Sequence, residues 1–488
     1  MIARALMFLG TGSDVGKSLI VAGLCRAFAN RGLRVAPFKP QNMSNNAAVT
    51  RDGGEIGRAQ ALQARAARIA ASVHMNPVLL KPESETGAQV IVQGKRVATM
   101  KAREFFALRR EFMPAILESF HQLAALHDLI LVEGAGSPAE TNLRESDLAN
   151  LGFAEAADIP AILIGDIHRG GVIASLVGTL AVLASADQNR IKGFLINKFH
   201  GDPQLFDEGR NFLKQRLAMP CLGIVPHFAA AAKLPAEDAV ALEDMVATNS
   251  KGLKIIVLRL PRIANFDDLD PLRQEPGVSL NFLNASQALP GDTDLVIIPG
   301  SKSTIADLAA LKANGWDIDL AAHHRRGGKV LGLCGGYQML GRMIHDPQGL
   351  EGPAQSVPGL DLLDVETTLN TEKTTTQTDA VHTLSGQLIS AYEIHLGTTT
   401  GLDRDRPFAQ TANGPEGAIS ADGRVTGTYL HGCFATDGFR RVFLSSLGAQ
   451  VSQFNYEQDI EATLDALAQH LETHLDLDAI LSAAGPVK

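Results

Sequence analysis

Gly332-Leu333-Cys334-Gly335-Gly336 places a thiol between glycines, where an apolar run gives way to a helical pattern. A sharp strand-to-helix turn of this kind needs glycine on both sides for close approach. It aims the nucleophile outward and sets it at a helix N-terminus, where the thiolate is favoured. A cysteine nucleophile also requires a general base and an oxyanion hole. His431, in Gly427-Thr428-Tyr429-Leu430-His431-Gly432, follows a short β-like run and is the first candidate base. His395, in Tyr392-Glu393-Ile394-His395, is the second. Pro299-Gly300-Ser301-Lys302-Ser303 follows another apolar run, so Gly300 and Ser301, together with Gly335, are candidate oxyanion donors. Cys25, Cys221 and Cys433 have no such setting and read as ordinary cysteines.

The second chemical run is Gly10-Thr11-Gly12-Ser13-Asp14-Val15-Gly16-Lys17-Ser18. An apolar strand, a glycine-rich turn and Lys-Ser opening a helix form a phosphate-binding arrangement. Gly12 and Gly16 let backbone amides approach the anion, Lys17 supplies a full charge, and Ser18 can ligate Mg²⁺. The common loop has glycine five residues before Gly16, whereas Thr11 stands there; counted from Gly10, the loop is one residue longer. A dinucleotide-binding pattern would need glycine at position 15, which is Val15. Glu133 ends the run Leu129-Ile130-Leu131-Val132, the place expected for a metal-ligating acid; Asp166 stands similarly after 161–165. Lys39, just after a second apolar run, is a candidate phosphoryl contact.

Those residues must be held by a scaffold, and the chain is long enough for several domains. Its 488 residues exceed one ordinary core, and 45% hydrophobic with 20% charged residues is a soluble globular composition. A formal charge of −9 argues against a general nucleic-acid surface. The four cysteines are scattered, with no CxxC pair, as in a reducing cytosol. The apolar N-terminus reaches Gly10 too soon for a membrane span. The expectation is therefore a cytoplasmic protein with neither membrane nor nucleic acid as partner.

Short apolar runs at 6–9, 35–38, 129–132, 161–165 and 193–196 alternate with helical patterns at 17–30, 56–71, 103–126, 172–184 and 203–216. That alternation predicts a mostly parallel sheet covered by helices on both faces, closed by a strand near 223–226. A second α/β pattern starts at 253–260 and continues through 294–298 and 329–333. The fold class expected is α/β with two domains, each a mostly parallel sheet covered by helices. The boundaries are 1–228, a linker at 229–251, 252–448, and a C-terminal helical extension at 449–488 whose apolar stripe packs on its own domain or, as the alternative, meets a partner. The Thr-rich stretch 367–378 reads as an exposed strand or loop.

The C-terminal half resembles the class I glutamine amidotransferases, a flavodoxin-like fold. The N-terminal half resembles the dethiobiotin-synthetase-like branch of P-loop enzymes. Together with Phe38-Lys39-Pro40-Gln41-Asn42-Met43-Ser44-Asn45-Asn46, Gly54-Glu55-Ile56-Gly57-Arg58-Ala59-Gln60 and Ile196-Asn197-Lys198-Phe199, the chain is similar to the cobyric acid synthase family of the cobalamin pathway. The resemblance implies a glutamine-hydrolysing ligase that amidates carboxylates b, d, e and g of adenosylcobyrinic acid a,c-diamide. Its small-molecule substrates would be a corrin polycarboxylate, glutamine and ATP, with Mg²⁺ as cofactor. Cys334 would attack glutamine, His431 would shuttle the proton, and ammonia would pass internally to the ATP site. Lys17, Ser18 and Glu133 would handle phosphate and Mg²⁺ there, with Asn197 near the adenine.

Two departures from the family pattern bear on mechanism. Most class I glutaminases carry a glutamate two residues after the histidine, where this chain has Cys433. The expectation is a Cys-His dyad, with an unoriented, weaker base and slow hydrolysis until the ligase site is loaded. His168 replaces a second aspartate in the Asp166-Ile167-His168-Arg169-Gly170-Gly171 run. The alternatives are cobyrinic acid a,c-diamide synthase, with different carboxylates, and an ATPase switch carrying a non-catalytic glutaminase-like domain.

Overall fold

The computed structural model describes residues 2–83, 87–237, 252–450 and 452–488. It divides into two compact units: Met1–Ser44, Gly54–Pro235 and Asp459–Lys488 form the first, Asn45–Gly53 and Ala236–Gln458 the second. No helix among the described residues is long and apolar enough to cross a membrane.

The first unit is built on parallel strands in the order Cys221–Pro226, Ile191–Phe199, Ala161–Asp166, Arg4–Gly10, Leu129–Glu133, Val35–Phe38. Arg4–Gly10 is the central strand and is buried almost throughout, which is why 5–9 carries no polar residue. Phe8 lies opposite Glu133, and Gly10 lies opposite Ile164. The phosphate loop, Glu133 and Asp166 therefore leave the same edge of three adjacent strands, where open α/β sheets bind ligands.

Helix Lys17–Asn30 spans the residues expected. The helix expected at 103–126 is instead Ala102–Leu108, a 3₁₀ turn Arg109–Phe112, and Met113–Leu126. Pro114 lacks an N–H and clashes with a preceding turn, so it begins a helix rather than continuing one.

The unit boundaries differ from the expected ones at both ends. From Asp459 onward the chain belongs to the first unit. The C-terminal stretch forms helices Tyr456–His474 and Leu477–Ala483. A Cβ on Gly23 would lie 2.5 Å from Leu471, so glycine lets that side chain nest on helix Lys17–Asn30. The buried Arg26 guanidinium pairs with Glu461 at 2.5 Å. An amphipathic period shows that a helix buries a face but not which domain receives it. Residues 45–53 join the second unit, where the Asn46 amide donates to Ala236 O (3.0 Å) and Ala47 N to Asn265 Oδ1 (3.2 Å). Of the expected linker, Ala229–Lys233 is a 3₁₀ turn of the first unit, and 238–251 lie outside the described residues.

In the second unit the sheet order is Val278–Leu283, Leu253–Leu258, Leu295–Ile298, Lys329–Leu333, Val425–Thr428, Ala418–Ile419, parallel except for the last pair. A second, largely antiparallel sheet is added, dominated by the hairpin Glu366–His382 and Leu388–Thr400. The Thr-rich stretch lies in the first arm of that hairpin, where threonine suits a half-exposed strand.

Candidate active sites

Cys334 sits at φ 51°, ψ −107°, between strand Lys329–Leu333 and helix Gly335–Leu340. An L-residue reaches that conformation only under strain held by its surroundings. The surroundings are glycines used as spacers. A Cβ on Gly332 would lie 2.6 Å from Gly336 O, and one on Gly336 would collide with Ile298 O. Gly336→Ala should therefore cost about 1–3 kcal/mol, read by chemical denaturation, and should displace the thiol.

Two neighbouring strands and a turn after a third supply the rest. His431 follows Val425–Thr428, Gly300 and Ser301 follow Leu295–Ile298, and Asp268 lies in the turn Phe266–Leu269 after Leu253–Leu258. His431 Nδ1 donates to Asp268 Oδ2 at 2.6 Å, and Asp268 Oδ1 accepts from Gly432 N at 2.7 Å. The imidazole is further held by Tyr392, whose ring stacks on it at 5.2 Å and whose backbone exchanges two hydrogen bonds with His431. Burial alone would lower the imidazole pKa. The Asp268 charge and hydrogen bond, with help from Cys334, override it and raise the value to about 10. With Nδ1 committed to Asp268, the buried Nε2 is the atom left to serve Cys334.

The expected dyad with an unoriented base is thus corrected: His431 is oriented by Asp268. The acid comes from another strand's loop, far upstream in sequence, rather than from two residues downstream. Cys433, in the glutamate's place, is buried, and burial together with Asp268 and Glu416 pushes its thiol pKa well up. The alternative base, His395, pairs with Glu393 at 3.3 Å and stacks on Tyr429 at 3.8 Å.

The candidate oxyanion residues converge. A Cβ on Gly335 would lie 3.0 Å from Ser301 N, and one on Gly300 would lie 3.3 Å from the His431 ring. Gly300 O accepts from Ala264 N (2.9 Å) and Arg262 O from Lys302 N (2.9 Å), which fixes the Gly300-Ser301 peptide at the elbow. A nucleophile, an oriented imidazolium and neighbouring backbone amides can perform acyl transfer through a thioester.

In the first unit, Lys17 Nζ donates to Gly12 O and Gly136 O, each at 3.0 Å, bridging the phosphate loop to the segment after Glu133. Gly16 is left-handed (φ 91°) as the helix N-cap, and a side chain there would strike the Asn197 amide. Asn197 is buried and donates to Val15 O at 2.9 Å, so it braces the loop. Ser18 Oγ donates to Glu133 Oε1 at 2.8 Å, and Lys39 Nζ reaches the same oxygen at 2.9 Å. Gln63 Nε2 donates to Glu133 Oε2 at 2.6 Å, and Gln60 does so at 3.4 Å.

The donor set suits Mg²⁺. A hydroxyl and a carboxylate in contact are the few hard oxygens that protein offers this ion, with phosphates and water supplying the rest. Among the described residues no cluster of three or more His, Cys, Asp or Glu could hold a metal unaided. Asp166 instead pairs with Lys198 at 3.0 Å and accepts from His168 N at 2.7 Å, while His168 Nδ1 lies 2.8 Å from His200 Nε2.

Sequence reasoning missed Asp268, Tyr392, Gln60 and Gln63. The glutamines had a signal: three apart on helix Arg58–Ala66, they share a face. Asp268 had only its place in a turn after a sheet strand.

Comparison with known proteins matches each half of the chain to a family. Residues 6–241 match the CobQ/CobB/MinD/ParA nucleotide binding domain, and residues 254–439 the CobB/CobQ-like glutamine amidotransferase domain. A cobyric acid synthase of Bradyrhizobium diazoefficiens is 60% identical over 483 residues, covering 99% of this chain and 100% of its own. That of Jannaschia sp. is 59% identical over 98% of this chain and 99% of its own. That of Methylorubrum populi is 58% identical over the full length of both. The chain is an enzyme of the glutamine amidotransferase kind and belongs to the cobyric acid synthase family.

Proposed function

We propose that this chain converts the b, d, e and g carboxylates of adenosylcobyrinic acid a,c-diamide to carboxamides, using glutamine as nitrogen donor and ATP as activator. The observation that carries the reading is the Cys334, His431 and Asp268 constellation, in a chain that also holds a braced phosphate loop. Cys334 sulfur attacks the glutamine amide carbon, the Ser301 and Gly335 amides bind the oxyanion, and His431 Nε2 protonates departing ammonia. Water then cleaves the glutamyl thioester, releasing glutamate and restoring the thiol.

A carboxylate is a poor electrophile, so a corrin carboxylate oxygen takes the γ-phosphoryl group of ATP and ADP departs. Ammonia attacks the acyl carbon and phosphate leaves with the C–O bond, giving the amide. Lys17 holds transferring phosphate oxygens, and Lys39 turns from Glu133 toward them. Ser18 and Glu133 would hold Mg²⁺, which supplies charge neutralisation on the phosphates when bound. Nothing in this division of labour requires a stalled glutaminase, because His431 is already oriented.

Mass spectrometry of the corrin product after incubation with glutamine and ATP tests the reading. Four carboxyl-to-carboxamide conversions are expected; a product stopping at two on cobyrinic acid would favour the a,c-diamide synthase. Lys17→Ala should slow amidation by about 10²- to 10³-fold, the usual cost of one donor to developing charge. It should leave ammonia release from glutamine near the wild-type rate.

A further inference from the structure

One feature of the first unit takes no part in the chemistry above. A cavity of about 590 Å³ opens between the hairpin Gly87–Val92 and Lys95–Lys101, the helix Ala102–Leu108, and the 135–150 segment that follows Glu133. Its wall is largely apolar, including Leu80, Val90 and Phe105, and at its rim Met43 and Phe106 remain 56% and 47% exposed. Large apolar side chains left in water beside a cavity mark a binding surface.

Two arginines line this apolar cavity, and they differ. Arg144 is neutralised, pairing with Asp187 at 2.7 Å and with Glu155 at 2.8 Å. Arg109 is 8% exposed and has no ion-pair partner among the described residues. Its Nη2 donates to Leu143 O at 3.1 Å and to Ser146 Oγ, its Nε has no partner, and its guanidinium lies 4.4 Å from the Phe106 ring centre. The acid that acts on it, Asp147, stays beyond ion-pair distance and spends its oxygens on the Ala149, Asn150 and Gly152 amides. A buried guanidinium without a counter-charge is costly unless a ligand supplies one, and its planar fork suits a carboxylate. A second buried polar atom at the cavity, Asn150 Oδ1, is also unpartnered.

We infer that this cavity seats the apolar edge of the corrin ring, with Arg109 gripping a peripheral carboxylate that is not the one reacting. The assignment rests on the corrin reading given above and adds where the substrate is held. The placement suits that task. Gly136 lines the cavity and its carbonyl is the one Lys17 grips at 3.0 Å, so a ring seated there presents its remaining carboxylates beside the phosphate loop. One anchoring cation on an apolar wall also suits a substrate that must be re-seated for successive amidations. A ring with several equivalent rim carboxylates can offer Arg109 a different one each time.

The test is equilibrium dialysis of adenosylcobyrinic acid a,c-diamide, read by its own visible absorbance, with a non-hydrolysable ATP analogue present. Arg109→Met should weaken binding roughly 10- to 100-fold, the value of a charge-assisted carboxylate contact. It should also raise KM for the corrin more than it lowers kcat. Because Arg109 also ties down Leu143 and Ser146, a second variant is needed. Ala102→Trp places bulk at the exposed mouth without touching the core and should weaken corrin binding comparably. Unfolding midpoints and KM for ATP serve as folding controls. Wild-type affinity in both folded variants would overturn the cavity assignment alone. Failure of the wild-type enzyme to bind the corrin at all would overturn the substrate reading, and this assignment with it.

Discussion

Cys334→Ala is expected to reduce ammonia release from glutamine by about 10⁴-fold or more, as loss of a nucleophile does when the remaining residues act only through it. The expectation follows from geometry. The elbow holds the thiol at φ 51° on a turn whose glycines leave no room for rearrangement. Cys433, only two residues beyond His431, cannot substitute, since it is buried beside Asp268 and Glu416 with its thiol pushed well up. Alanine removes one sulfur from a site that already encloses it, so the unfolding midpoint should move little. A coupled ammonia assay and a denaturation curve on the same preparation check both statements.

Asp268→Asn should cost about 10²- to 10⁴-fold in glutamine hydrolysis, because the isosteric amide can hold the imidazole in the wrong tautomer. It also changes the pH profile in a defined direction. In the wild-type site burial opposes the charged imidazole, and Asp268 overrides it to raise the pKa to about 10. Without that charge burial dominates, the imidazolium is lost at lower pH, and the alkaline limb of kcat/KM shifts toward neutrality. A raised folded-state value stabilises the fold fully below about pH 6.5, and the contribution disappears as pH rises through about 10. The variant should therefore lose stability mainly across the acid and neutral range. An unshifted alkaline limb would remove Asp268 from its orienting role.

The two chemical runs were legible because local backbone demands specific residues there. Glycines around Cys334 and the Lys17-Ser18 pair are fixed by a turn and a helix start, and both are read within ten residues. The parallel cores were legible for a similar reason, since strands buried on both faces carry unbroken apolar runs such as 5–9 and 295–298. Partners delivered from elsewhere in the chain were not. Asp268 meets His431 because the strands ahead of both lie in one sheet, and strand order is a tertiary property that spacing does not encode. The C-terminal helices show the same limit: their apolar stripe is evident, but only packing against Gly23 and Arg26 determines which unit they complete. The break at Arg109–Phe112 was signalled by Pro114, yet the unpaired charge at the cavity wall depends on the 143–147 segment that packs against it.

We propose that one unit makes ammonia and the other spends it. The most direct measurement is amide formation on the corrin by the Cys334→Ala enzyme, supplied in turn with glutamine and with ammonium at alkaline pH. No product is expected with glutamine, and near wild-type product with ammonium. Loss of synthesis from both nitrogen sources, or retention with both, would contradict this division of labour.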